Sequence, residues 1–212
     1  SGELIPAGLV TAWGYVLFLS RLQLSFDALS LALALLIAIY FLVGLWTERQ
    51  KSAVFTHQFL APLYLTAHTL SLFLVWRIYV RPFDRLFFDL PWTDEMRLWG
   101  AVAQLLLGIV YGLYTWGTYK ERWAHVAAWL GAAGGGFIAI TYSTGHGSSA
   151  AKAALMAIVF VLAERGLYWL RQRPVRNRQQ AFIRLTWHLY KRPLLVTGWV
   201  VSAGVIGLAL IR

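Results

Sequence analysis

The 212-residue chain contains no cysteine. That excludes disulfides, thiolate metal sites and thiol nucleophiles, and leaves cysteine usage silent on redox compartment. Charge is also scarce: 13% of residues are charged, against about 25% in a soluble domain. Acidic residues are the scarcer sign, nine Asp and Glu against nineteen Lys and Arg, for a formal charge of +10. No stretch alternates apolar and polar residues at period two, which argues against a β-barrel. A nucleotide loop, a metalloprotease helix, a serine-protease motif and an Asp-rich prenyl-transfer motif are all missing. These absences favour a non-enzymatic protein.

What fills the space is apolar and aromatic. Hydrophobic residues make up 59% of the chain, with Trp, Tyr and Phe abundant. They fall in seven blocks, at 4–20, 28–46, 54–80, 98–118, 123–142, 150–170 and 193–211. A helix needs about 20 apolar residues to cross a bilayer, and only helices and closed barrels satisfy their backbone there. The expected fold is an all-α polytopic membrane bundle of six or seven helices, forming one membrane domain over residues 1–212. Block 4–20 is the shortest. It lacks the basic start and small-residue cleavage site of a signal peptide and reads as a short span or a re-entrant segment.

The basic residues lie mostly between blocks, so anionic headgroups are their expected counter-charge and nucleic acid is the minor alternative. Arg49, Lys51, Lys120, Arg122, Arg171, Arg173, Arg176, Arg178, Arg184, Lys191 and Arg192 fall on one side of the expected topology. Arg21, Arg77, Arg81, Arg85, Arg97, Lys152 and Arg212 fall on the other. The positive-inside rule makes the first side cytoplasmic. The densest connection is 171–192, from which Arg171, Arg173, Arg176, Arg178, Arg184, Lys191 and Arg192 can meet anionic lipid. Its stretch 179–191 places Phe182, Leu185 and Leu189 on one face and predicts a helix lying on the membrane surface.

The chain also writes one frame twice. HQFLAPLYLTAHTLS (57–71) and HLYKRPLLVTGWVVS (188–202) share His57/His188, Pro62/Pro193, Leu63/Leu194, Thr66/Thr197 and Ser71/Ser202. Glu-Arg precedes each frame, as Glu48-Arg49 and Glu164-Arg165, and Glu121-Arg122 with His125 makes a third, weaker copy. The expected units are helical hairpins over 28–80, 98–142 and 150–211. Each proline is expected in a first helical turn, where its missing N–H costs nothing.

His57, His125 and His188 admit two readings. As architecture, each imidazole is an interfacial anchor bonded to a nearby group, with Glu48, Glu121 and Glu164 as local partners. As chemistry, two imidazoles from different helices could ligate a b-type haem, making a haem- or quinone-linked redox protein; three with Glu164 could hold a metal ion. No His-x-x-x-His pair supports a metal site, and architecture is preferred. His68 lies eleven residues after His57 and about 16 Å deeper. With Thr66, Ser71 and Glu164 it could mark a polar intramembrane path of a channel or transporter. Thr144-Gly145-His146 resembles the Ser-Gly-His element of membrane lipid phosphatases, but that class's Arg-rich motif and downstream His–Asp pair are missing. Residues 143–149 are therefore read as a tight polar turn. The resulting expectation is a membrane subunit, scaffold or sensing module that contacts lipid, anionic lipid above all, and partner membrane subunits.

Overall fold

The structure is a computed structural model that describes residues 4–21, 26–49, 53–88, 94–142, 146–173 and 177–210. Near several helix ends it describes the helix path alone, so the side chains of His57, His146 and Arg178 lie outside the described residues, as does Arg176 entirely. The described residues form seven α-helices: α1 (Leu4–Arg21), α2 (Phe26–Arg49), α3 (Ala53–Phe88), α4 (Asp94–Thr118), α5 (Glu121–Thr141), α6 (His146–Gln172) and α7 (Asn177–Leu210). Among the described residues, four stretches are long and apolar enough to cross a membrane: Ala28–Arg49, Phe59–Tyr79, Arg97–Thr118 and Ala151–Gln172. Large apolar side chains on them face outward, such as Ile39 on α2, Leu72 on α3, and Val159 and Leu162 on α6. A water-soluble chain rarely leaves such faces open. These lengths and faces fit an all-helical membrane protein.

Five of the seven expected blocks match their helices to within a few residues. The other two helices overrun. α3 runs past block 54–80 to Phe88, taking in the start of what the sequence presented as an outer connection. α7 begins at Asn177, so 179–191 is helical as expected, but as the first part of one helix that continues unbroken into the apolar block rather than as a separate surface helix. Both prolines are consequently mid-helix rather than in a first turn. Pro62 stands nine residues after Ala53, and Pro193 sixteen after Asn177. Each removes a backbone donor and leaves the carbonyl four residues earlier without its helical partner.

The chain divides into two compact units, residues 1–110 and 111–212, with the boundary inside α4. In the first, α2 and α3 pack along each other and α1 packs on both. Leu33, Ala34, Ile37 and Phe41 of α2 are fully buried, as are Ala67 and Leu74 of α3. These positions recur at helical spacing, which gives each helix one inward stripe. Gly44 brings the two helices close: a Cβ there would lie 2.5 Å from Tyr64 Cε1. α1 joins through Gly8, whose carbonyl accepts from Tyr40 Oη at 3.3 Å.

In the second unit, α6 and α7 pack along most of their length, and α5 packs on both. The turn from α4 to α5 spans two residues. Tyr119 adopts a left-handed conformation with φ of 55°, which ends α4 as a left-handed cap does. Trp123 N–H then donates to Lys120 O at 3.2 Å. The Trp123 ring lies against Tyr111 and Tyr114, at 5.7 and 5.4 Å between centroids. Bulky rings thus hold a turn whose backbone would suit a glycine or asparagine better.

Candidate functional site

The three elements of the second unit meet at a basic cup. The first turn of α5 supplies Glu121, the last turn of α6 supplies Arg171, and α7 supplies Arg184, Trp187, His188, Lys191 and Arg192. The cavity they line measures about 420 Å³. Sequence spacing accounts for the α7 contribution. Residues 184, 188 and 192 recur every four and 191 stands three after 188, so the four share a helix face.

Trp187 is the fixed point of the cup. It is buried and its ring packs against Tyr168 at 5.4 Å. The Arg171 guanidinium lies 5.9 Å from the same ring and the Lys191 ammonium 5.4 Å from it. Cations over an aromatic face are attracted by its quadrupole, so the indole gathers charges that would otherwise spread apart. Arg173 does the same beside the cup, 3.6 Å over the Trp169 ring. Arg171 gains further from its place at the negative end of the α6 dipole. Close by, Tyr190 donates to Gly112 O at 2.8 Å, tying α7 to the last turns of α4. Burial pushes the Tyr190 phenol above its ordinary value, and its hydrogen bonds pull it down by less.

The cup contains four permanent cations, Arg171, Arg184, Lys191 and Arg192, with the titratable His188, against one carboxylate, Glu121. Such a concentration of positive charge calls for an anion. Its geometry suits phosphate: guanidinium groups bond phosphate oxygens in pairs, and an ammonium adds a point charge. Of the residues expected to meet anionic lipid, the structure brings together Arg171, Arg184, Lys191 and Arg192; Arg173 stands beside them on Trp169, and the side chains of Arg176 and Arg178 lie outside the described residues.

The repeated histidines have separate fates. His188 lines the cup and is exposed; His125 is half-buried on α5; the His57 side chain lies outside the described residues. Among the described residues, no three His, Asp or Glu side chains cluster closely enough to hold a metal ion. The glutamates expected beside them differ as well. Glu48 accepts from Tyr64 Oη at 2.9 Å, and Glu121 joins His188 in the cup. Glu164 is buried, with one oxygen 3.6 Å from Arg165 Nε.

Of the expected polar path in the first unit, His68 packs edge-on against Phe41 at 5.1 Å. Ser71 is buried and donates to Ala67 O at 2.7 Å. Thr66 Oγ1 is buried without a hydrogen-bond partner. Sequence reasoning missed Trp187, although Arg184 and Lys191 at three before and four after were visible as its neighbours on one helix face. No family model matches the sequence, and no curated protein or solved structure matches it.

Proposed function

We propose that this protein is a non-enzymatic component of a membrane that grips anionic headgroup phosphate in the cup around Trp187. The observation that carries the reading is the collection of four permanent cations and His188 around one buried indole, with only Glu121 to balance them. Such a basic pocket at the end of apolar helices suits the headgroup of an anionic phospholipid. In this reading six or seven of the helices cross the bilayer, and the cup faces the cytoplasm, where the positive-inside rule puts dense Lys and Arg. Outward apolar faces left free of lipid are available to partner membrane subunits.

The internal duplication supports a scaffold built from a reused hairpin. In each copy the proline is buried and mid-helix. In each, the threonine four residues later has a buried hydroxyl with no hydrogen-bond partner, as Thr66 and Thr197. In each, the serine bonds back to the carbonyl four residues before it, Ser71 to Ala67 at 2.7 Å and Ser202 to Gly198 at 2.8 Å.

The test compares lipid preference in nanodiscs. The wild-type chain should enrich phosphatidylglycerol over phosphatidylcholine, and more so at low salt. Each basic residue near anionic lipid contributes about 1 kcal/mol. The Arg184→Gln, Arg192→Gln double variant should therefore lose about 2 kcal/mol of that preference. An unchanged preference in a folded double variant overturns the reading.

A further inference from the structure

One buried group in the second unit has no part in the cup. Glu164 lies inside the apolar stretch Ala151–Gln172 of α6, and its side chain is 5% exposed. Its Oε2 has no hydrogen-bond partner. Arg165 Nε approaches that oxygen to 3.6 Å, but the Arg165 side chain is 71% exposed. Successive helical residues point about 100° apart, so the carboxyl turns inward and the guanidinium head outward. An ionised carboxylate enclosed in apolar surroundings is unfavourable unless a cation meets it; among the described residues Arg165 pairs with Oε2 at 3.6 Å, from the exposed side, and no cation comes within hydrogen-bond reach.

A second, independent observation comes from α7. Thr197 is fully buried and its hydroxyl has no partner. The threonines and serine at 115, 141, 186 and 202 all bond back to the carbonyl four residues earlier; Thr197 does not. Register places it near the level of Glu164. A Cβ on Gly198 would meet Phe160, Val161 and the Ala157 carbonyl. The helices run antiparallel, so each step up α6 matches a step down α7. Glu164 then lies level with about Pro193, four residues or about 6 Å of rise from Thr197. A third oxygen belongs to the same level. Pro193 has no N–H, so the Leu189 carbonyl, which points along α7 toward it, lacks its helical donor.

We infer that Glu164, Thr197 and the Leu189 carbonyl form an intramembrane site for a small monovalent cation, H⁺ or Na⁺. A carboxylate, a hydroxyl and a carbonyl freed from its helix are the oxygens with which membrane proteins hold such ions. A single carboxylate supplies one charge, which suits a monovalent ion. The charged and titratable residues nearest in sequence are Arg165 and Tyr168 on α6 and His188, Tyr190, Lys191 and Arg192 on α7; α5, which packs on both helices, carries Glu121, Arg122 and His125. From Pro193 to Leu210, α7 carries no titratable side chain. Access is apolar: Val161 and Leu162, just before Glu164, line a groove of about 360 Å³ between α6 and α7.

The experiment treats the full chain in nanodiscs with dicyclohexylcarbodiimide, an apolar reagent that couples to protonated carboxyls, and locates the adduct by mass spectrometry. The expected adduct is on Glu164, absent in Glu164→Gln, and slowed where Na⁺ is the cation that occupies the site. Sodium chloride that slows labelling relative to choline chloride identifies Na⁺ as the occupant; pH dependence without a sodium effect identifies H⁺. Thr197→Val should move the midpoint of the pH or sodium protection by about tenfold in ion concentration. No adduct at Glu164 at pH 6, or labelling indifferent to both pH and sodium, overturns the site. A Thr197→Val midpoint equal to wild type overturns the pairing with Thr197.

Discussion

Tyr64 reaches from α3 to α2 and donates its phenolic proton to Glu48 at 2.9 Å, directly over the glycine that lets the helices meet. The ring sits on Gly44 and tilts against Phe41 at 6.1 Å between centroids. One side chain thus joins the close approach, the aromatic contact and the carboxylate of the first unit.

Gly44→Ala should therefore destabilise the chain by about 1–3 kcal/mol, the usual range for overpacking, because a stiff ring must move. Gly135→Ala offers the contrast. Its new methyl meets the Met156 sulfur, and a thioether chain can swing aside. Unfolding in mixed detergent micelles should separate the two, with Gly135→Ala near wild type. Equal losses would show that the Tyr64 contact is not the constraint described here.

Trp187→Leu keeps an apolar residue in the cup but removes the ring that holds Arg171 and Lys191. Exposed cation–π pairs contribute about 0.5–1 kcal/mol each, so the variant should lose about 1–2 kcal/mol of stability, with part of its preference for phosphatidylglycerol. Trp187→Phe should lose less of both. If Trp187→Leu binds anionic lipid as wild type does, the ring does not organise the cup.

The absence of cysteine makes topology simple to test within the second unit. Single cysteines at Lys120 and Arg173 should react with an impermeant maleimide from one face of oriented vesicles. A cysteine at Tyr142, which accepts from Lys152 Nζ through its carbonyl, should react from the other. Tyr142 and Arg173 on the same face would remove α6 from the spans.

The absorption spectrum of the purified protein should lack a Soret band. His188 is exposed, and among the described residues no other histidine lines its cavity, whereas the haem reading needs two imidazoles on one iron. A Soret band lost on His188→Ala would instead establish the haem-binding alternative.

Hydropathy marked five helices well because their ends coincide with the change from apolar to polar residues. It fell short for α3 and α7 for one physical reason. A helix does not stop where the chain turns polar: Arg, Gln and Leu after Asn177 are all good helix formers, and nothing between Asn177 and Lys191 breaks the backbone. The same blindness misplaced Pro62 and Pro193, since a proline looks like a boundary until the helix is seen on both sides of it. The site was half legible. Basic residues in 171–192 were plain as charge, but their convergence depended on Trp187, whose burial no composition reveals. The Glu-Arg frames at 48, 121 and 164 looked equivalent as sequence. Packing made them different, because one carboxylate met a tyrosine, one a basic cavity and one an apolar seam.

The uninterrupted course of α7 has a mechanical consequence. At 34 residues and about 1.5 Å each the helix is about 51 Å long, and the hydrocarbon layer is about 30 Å thick. Pro193 divides this length at the point where a helix bends most easily. One arm, from Asn177 to Arg192, extends about 24 Å and carries the cup's charges; the other carries Thr197 and Ser202 along α6. A swing of about 10° at Pro193 displaces the tip of the basic arm by about 4 Å, and proline is where helices bend. In the readings proposed above, headgroups on that arm and an ion at Glu164 would act on α7 from either side of Pro193.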